Sequence, residues 1–297
     1  PEVSASPLDD ALARRDFSIN AMALPLSEDV PEVIDPHGGL ENLANQSVVT
    51  LHPGSFTDDP TRLMRAVRYE QRLGFQISET TLAAMKHTLA GGHADAVSGD
   101  RWRHEFQKIF EERRAAEMLL RAIELSVLPA IHPALTDGQG LTGLAGETHL
   151  PPNGYLAALA MSLSAADGED VRRRLNLPAD WARVVRDTIA LRESESSFDG
   201  QVSRISRFLD GLNPNAIAAF ARISEDPQVA ARLRRYLDEW RLVSPALTGD
   251  DLLAMGVPPG VKIGEVLREL NVAKLDGQVS SEADERALVQ QIILRGN

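Results

Sequence analysis

From residue 60 almost to the end, apolar positions recur every three to four residues, the period of an amphipathic helix. The pattern predicts helices at about 60–73, 78–90, 98–114, 115–126, 153–165, 168–175, 179–193, 201–211, 214–222, 227–241, 248–255, 260–272 and 281–294. Ahead of them the period changes. Residues 8–14 read as the end of a short helix, after which Phe17, Ile19 and Ala21 alternate with Asp16, Ser18 and Asn20. That two-residue repeat predicts a half-buried strand whose other face is polar, either lining a site or meeting water. Val33-Ile34-Asp35 is a short strand candidate ended by the turn Pro36-His37-Gly38-Gly39, and 47–51 is another. The Gly-rich stretch 137–146, followed by Pro151-Pro152, and the Ser- and Glu-rich stretch 192–200 read as linkers.

The best-marked helix start is Asp58-Asp59-Pro60-Thr61-Arg62, where aspartate at the N-cap and proline at the first helical position precede Leu63, Ala66, Val67 and Leu73. Asp59 and Arg62 are three apart, so a carboxylate acceptor and a guanidinium donor can sit on one side of the first turn. Adenine and cytosine present an amino donor beside a bare ring nitrogen, which matches that pair. Guanine and uracil present the reverse. A capping Asp59 and a solvated Arg62 account for the same residues. Arg62, Arg65, Arg68 and Arg72 string along one side of this helix, as phosphate contacts or as a solvated face. Arg101 and Glu105 are one turn apart and could form an ion pair. Arg172-Arg173-Arg174 and the set Arg232, Arg234 and Arg235 are further basic candidates, while Trp102, Trp181 and Trp240 fall in helical patterns that predict packing.

The 297 residues suggest about two domains, and 43% hydrophobic with 25% charged residues is ordinary globular composition. Without cysteine, disulfides and thiolate metal sites are excluded, which fits a cytoplasmic location. No apolar run approaches the roughly 18 residues of a membrane span, and residues 1–15 are acidic, unlike a signal sequence. A net charge of −12 confines any nucleic-acid contact to a local basic face. His37 has no partner at ligand spacing. His87, His93, His104 and His132 lack the adjacent pair and spacing of a His-Asp phosphohydrolase.

Five segments in order resemble one family. Residues 13–23, ARRDFSINAMA, resemble the RRDFTINAMA signature of the class II CCA-adding enzymes (tRNA nucleotidyltransferases) and the related bacterial poly(A) polymerases. Residues 34–40, IDPHGGL, resemble the family's IDPxGGLxDL turn; 56–75, FTDDPTRLMRAVRYEQRLGF, its FxEDPLRxLRAxRFAARLGF helix; 98–110, SGDRWRHEFQKIF, its SxERIxxELxKIL segment; and 253–277 its late GxxPGPxIG segment. Asp58 replaces the family's glutamate, Ser18 a threonine, Trp102 an isoleucine, and Pro259-Gly260-Val261 a Pro-Gly-Pro. Family members also carry a Gly-Gly turn and an Asp-x-Asp pair for two metal ions ahead of RRDF; neither stands ahead of residue 14 here, and no Asp-x-Asp occurs downstream.

The resemblance implies a mainly α fold in which a small α/β remnant of a nucleotidyltransferase head (1–54) precedes a helical neck (55–135), body (136–200) and RNA-binding tail (201–297). It implies that Arg15, Asp16 and Asn20 hold ribose and phosphates, and that Asp59 and Arg62 read the base of ATP or CTP. Arg65, Arg68 and Arg72 would touch phosphate or RNA, with Asp58, Arg101 and Glu105 as structural support. Mg2+ is expected in the intact enzyme, held by carboxylates that these residues do not supply, so the chain alone is expected to be inactive. Partners would be nucleoside triphosphates, a tRNA or other RNA 3′ end, and a head segment in cis or trans, with no membrane. CCA addition and A addition are not separable at this level. A non-catalytic helical RNA-binding module and the RNA-binding half of a split enzyme are the alternatives.

Overall fold

The computed structural model describes residues 7–26, 32–144 and 150–295, so residues 145–146 at the end of the first expected linker lie outside it. The fold is mainly α, and the two short strands Ser47–Val48 and Gln76–Ile77 pair in parallel, Ser47 opposite Gln76. The chain divides into two compact units, Pro1–Ile189 and Ala190–Asn297. No described helix is long and apolar enough to cross a membrane.

In the first unit, the helix Arg62–Leu73 buries Leu63, Met64, Ala66 and Val67, the stripe its periodicity predicts, and ends on Gly74 at φ 69°. Gly99–Phe110 buries Trp102, Phe106, Ile109 and Phe110; Trp102 Nε1 donates to the Ala94 carbonyl at 3.3 Å, and Phe110 stacks on Tyr155. The tryptophan is a packing residue, as expected.

Three expectations need correction. The helix expected from Pro60 begins at Arg62: Asp58 ends a separate short helix, Ser55–Asp58, and Asp59 is extended at φ −143°, ψ 93°. The reason is local, because Asp59 Oδ1 accepts from both the Thr61 amide (3.0 Å) and hydroxyl (2.6 Å), closing an Asx turn around the proline. The alternating run at 16–21 is not a half-buried strand. Phe17 bridges Thr50 and Ala23 bridges Ile34, but Ser18–Asn20 is a turn of 3₁₀ helix, and the polar Asp16 and Ser18 are as buried as their apolar neighbours. Ser18 is covered because its amide donates to Val49 and its Oγ accepts from Asn42, while the helix Gly39–Ala44 lies so close that a Cβ at Gly39 would stand 2.4 Å from the Ser18 carbonyl. The Gly-rich linker holds a short helix, Gln139–Thr142.

In the second unit, Leu247, Leu252, Val257, Val266, Leu270, Val289 and Ile292 form a core at the end of the chain. Beneath it Glu285, almost fully buried, accepts from the amides of Ala246 and Leu247 at 2.9–3.0 Å and from Lys274 Nζ at 3.1 Å. Burial alone would raise its pKa; the two amides and the ammonium outweigh burial and hold it below the ordinary carboxylate range. A group with a lowered folded pKa stabilises above its unfolded pKa, and that stability is lost as pH falls through the folded value. Glu285→Gln is therefore expected to melt lower than wild type at pH 7, by about 2 kcal/mol, with the gap closing on acidification. Thermal denaturation of both proteins from pH 7 down to pH 3 checks this.

Candidate nucleotide-base site

The Asp59 turn and the start of the Gly99–Phe110 helix face one another across an open polar cavity of about 560 Å3, lined by Asp59, Thr61, Arg65, Arg101, Arg103 and Lys108 among others. Asp59 is partly exposed, and its three contacts all fall on one oxygen: Oδ1 takes the Thr61 amide and hydroxyl and Arg101 Nη2 at 2.7 Å. Oδ2 accepts no hydrogen bond from the described residues, and Asp59 lines the cavity. The turn thus fixes the carboxylate by one edge and offers the other.

Arg62 points elsewhere. Its Nη1 donates to Ser55 Oγ at 2.6 Å and its Nη2 to the Arg14 carbonyl at 2.9 Å, tying the helix to the preceding short helix and to the arginine pair at 14–15. Asp59 and Arg62 share the first turn without bonding to each other; the cation on Asp59 is Arg101. The expected Arg101–Glu105 pair is likewise replaced, since Glu105, buried, pairs with Lys108 at 2.8 Å. Arg101 instead reaches Asp59, off its own helix. Asp58 is exposed and 3.7 Å from His52.

Asp16 is 4% exposed: Oδ1 accepts from the Phe17 amide at 3.0 Å and Asn20 Nδ2 at 3.2 Å, while Oδ2 has no hydrogen bond and lies 2.6 Å from Arg65 Nη2 as an ion pair. Burial works against the charge of Arg65, but Asp16, Glu105 and Tyr69 around it outweigh burial and raise its pKa. The arginine stripe is thus unevenly available. Arg65 is committed to Asp16; Arg68 is mostly buried, with its guanidinium over the Tyr69 ring and 3.9 Å from Glu112; Arg72 is half exposed and 3.4 Å from Glu112. Arg15 is exposed, and no described side chain binds its guanidinium.

The other basic runs are largely neutralised locally. Arg172 and Arg173 pair with Glu169 and Asp170, Arg174 donates to three backbone carbonyls, Arg232 binds the carbonyls of Phe198 and Gly200, Arg234 that of Ala221, and Arg235 pairs with Glu239. Sequence reasoning did not find Thr61, Ser55 or Arg103 as parts of the site. The Asp-x-Thr spacing of an Asx turn was the available signal for the first; the other two depend on contacts distant in sequence. Among the described residues no group of three or more His, Asp and Glu is arranged to hold a metal ion.

Residues 1–49 match the family described as the poly A polymerase head domain, and residues 74–138 match the probable RNA and SrmB-binding site of polymerase A. The chain is 28% identical over 317 residues to the A-adding tRNA nucleotidyltransferase of Geobacter sulfurreducens, covering 98% of this chain and 36% of that protein. It superimposes with TM-score 0.79 and 25% identity on the Thermotoga maritima CCA-adding enzyme complexed with tRNA, over 96% of this chain and 74% of that one. A CCA-adding enzyme in complex with CTP aligns with TM-score 0.79 at 27% identity, over 97% and 73% of the two chains. The chain is thus similar over nearly its whole length to A-adding and CCA-adding tRNA nucleotidyltransferases. It spans about a third of the length of the Geobacter relative.

Proposed function

We propose that this chain is the nucleotide-selecting and RNA-gripping portion of a template-independent nucleotidyltransferase that adds CMP and AMP, or AMP alone, to RNA 3′ ends, tRNA being the substrate class. The observation that carries this reading is the one-edged Asp59: Oδ1 is saturated by Thr61 and Arg101, while Oδ2 accepts no hydrogen bond from the described residues and Asp59 lines a polar cavity. A fixed acceptor selects an exocyclic amino group, which adenine and cytosine have at the corresponding edge; guanine and uracil put a carbonyl there, and carboxylate against carbonyl is repulsive. For Arg62 to supply the complementary donor to the ring nitrogen it must leave its bonds to Ser55 and the Arg14 carbonyl. Arg15, Asp16 and Asn20 lie in the segment that would meet ribose and phosphates, and Arg72 is the exposed member of the arginine stripe available to RNA backbone.

Transfer itself needs carboxylates that hold metal ions, and the 297 residues contain no Asp-x-Asp to do so. In this reading the chain binds and selects without joining. The test is incorporation of labelled ATP or CTP onto a tRNA lacking its 3′ end: no product is expected from these residues alone, and measurable extension would overturn that part of the reading.

A further inference from the structure

Asp100, Arg101 and Arg103 sit in the first turn of the Gly99–Phe110 helix and form one wall of the cavity. Ser98, the N-cap, makes no side-chain cap bond, so something else must hold that turn. What holds it is the end of the helix Ala165–Arg174. This helix closes in a left-handed cap: Asn176 has φ 47°, its amide donates to the Arg173 carbonyl at 3.2 Å, and the Leu177 amide donates to Arg172 at 3.0 Å.

The cap is joined to the cavity wall by side chains from both partners. Asn176 Nδ2 donates to Asp100 Oδ1 at 2.9 Å, Arg103 Nη1 lies 2.7 Å from the same oxygen, and Arg103 also donates to the carbonyls of Leu175 and Asn176. Backbone meets backbone at Gly99, where a Cβ would stand 2.4 Å from the Arg174 carbonyl oxygen. Arg174 anchors the approach to the turn by donating to the carbonyls of Ala94, Val97 and Ile131 at 2.9–3.1 Å. The amide of Asn176, then the guanidinium of Arg103, hold the Asp100 carboxyl below its ordinary range.

We infer that Asn176 is a positioning residue for base selection: by fixing Asp100 it sets the turn from which Arg101 reaches Asp59 Oδ1, and so decides which carboxylate edge the nucleotide meets. The inference rests on the reading of Asp59 as the base-selecting group. Asparagine suits the place twice, because it tolerates the left-handed conformation and carries an amide donor. Glycine satisfies only the first requirement. Aspartate satisfies the first but sets a second carboxylate against Asp100.

The substitutions separate cap from tether. The preference of the full chain for ATP and CTP over GTP and UTP is measured as a ratio of dissociation constants, alongside thermal melting. Asn176→Gly is expected to melt at or above the wild-type temperature, since glycine is the favoured residue at this cap position, while its preference falls about threefold to tenfold for the lost bond. Asn176→Asp is expected to lose more, and Asp100→Asn added to Asn176→Asp, which swaps donor and acceptor across the same contact, to recover most of it. A purely structural role would not produce recovery in the ratio. Wild-type discrimination retained in Asn176→Gly and Asn176→Asp overturns the inference while leaving the reading of Asp59 intact. A wild-type chain with no preference among the four nucleotides overturns that reading and the inference with it.

Discussion

Asp59→Asn is expected to lose the preference for ATP and CTP, by a factor of tens, while leaving the fold nearly as stable as wild type. Asparagine is as good as aspartate at accepting local amide bonds, so the Asx turn around Pro60 survives the change. What changes is the cavity edge: when the amide keeps its oxygen on Thr61, the position of Oδ2 becomes an N–H donor. That donor faces the amino group of adenine or cytosine unfavourably and the carbonyl of guanine or uracil favourably. A two-point base contact is worth about 1–3 kcal/mol of discrimination, so the preference should disappear or invert. Asp59→Ala removes the turn contacts as well and is expected to cost about 1 kcal/mol of stability in addition to the loss of selection. Competition among the four nucleotides in the intact enzyme carrying each substitution checks both statements. If Asp59→Asn and Asp59→Ala keep the wild-type order of preference, Asp59 is a cap and nothing more.

The second large effect concerns stability. Glu70, buried on the Arg62–Leu73 helix, takes a two-pronged contact from Arg121 on the helix Ala115–Glu124, Nε to Oε2 at 2.8 Å and Nη2 to Oε1 at 3.1 Å. The carboxylate of Glu70 is the main reason the pKa of Arg121 is raised, burial opposing and Glu124 adding to it. Arg121→Ala leaves a buried carboxylate without its cation, for which the expected loss is about 3–5 kcal/mol and a melting point lower by roughly 10 °C. Replacing both members, Glu70→Met with Arg121→Met, removes the stranded charge and should recover most of the loss, because a buried pair is often matched by apolar residues of similar volume. Thermal and urea denaturation of the two variants beside wild type decides it: a loss below about 1 kcal/mol in Arg121→Ala would mean that water reaches Glu70.

The helices were legible because their signal is local. Residues 179–193 and 214–223 are helical within a residue of where the period places them, since a stripe at 3.6-residue spacing has few alternatives once caps such as Asn213 before Pro214 mark its start. The run at 16–21 was misread for the opposite reason. Its alternation is real, but both faces are covered, by Val49 and Asn42 on Ser18 and by Arg65 on Asp16, so polarity there records buried hydrogen bonds and not solvent. The site shows the same division. Asp59 could be singled out from the helix start and the family resemblance, but the partners of the charged residues could not. Arg101 sits one turn from Glu105 and binds Asp59 instead; Arg62 turns to Ser55 and Arg14; Asn176 lies far along the chain from Asp100. A flexible side chain has several acceptors within reach, and tertiary packing rather than sequence spacing selects among them.

The most direct test of the account is equilibrium binding of ATP, CTP, GTP and UTP to the wild-type chain under one buffer and salt condition. The one-edged Asp59 carboxylate predicts that ATP and CTP bind at least about tenfold more tightly than GTP and UTP. Four equal affinities would contradict it.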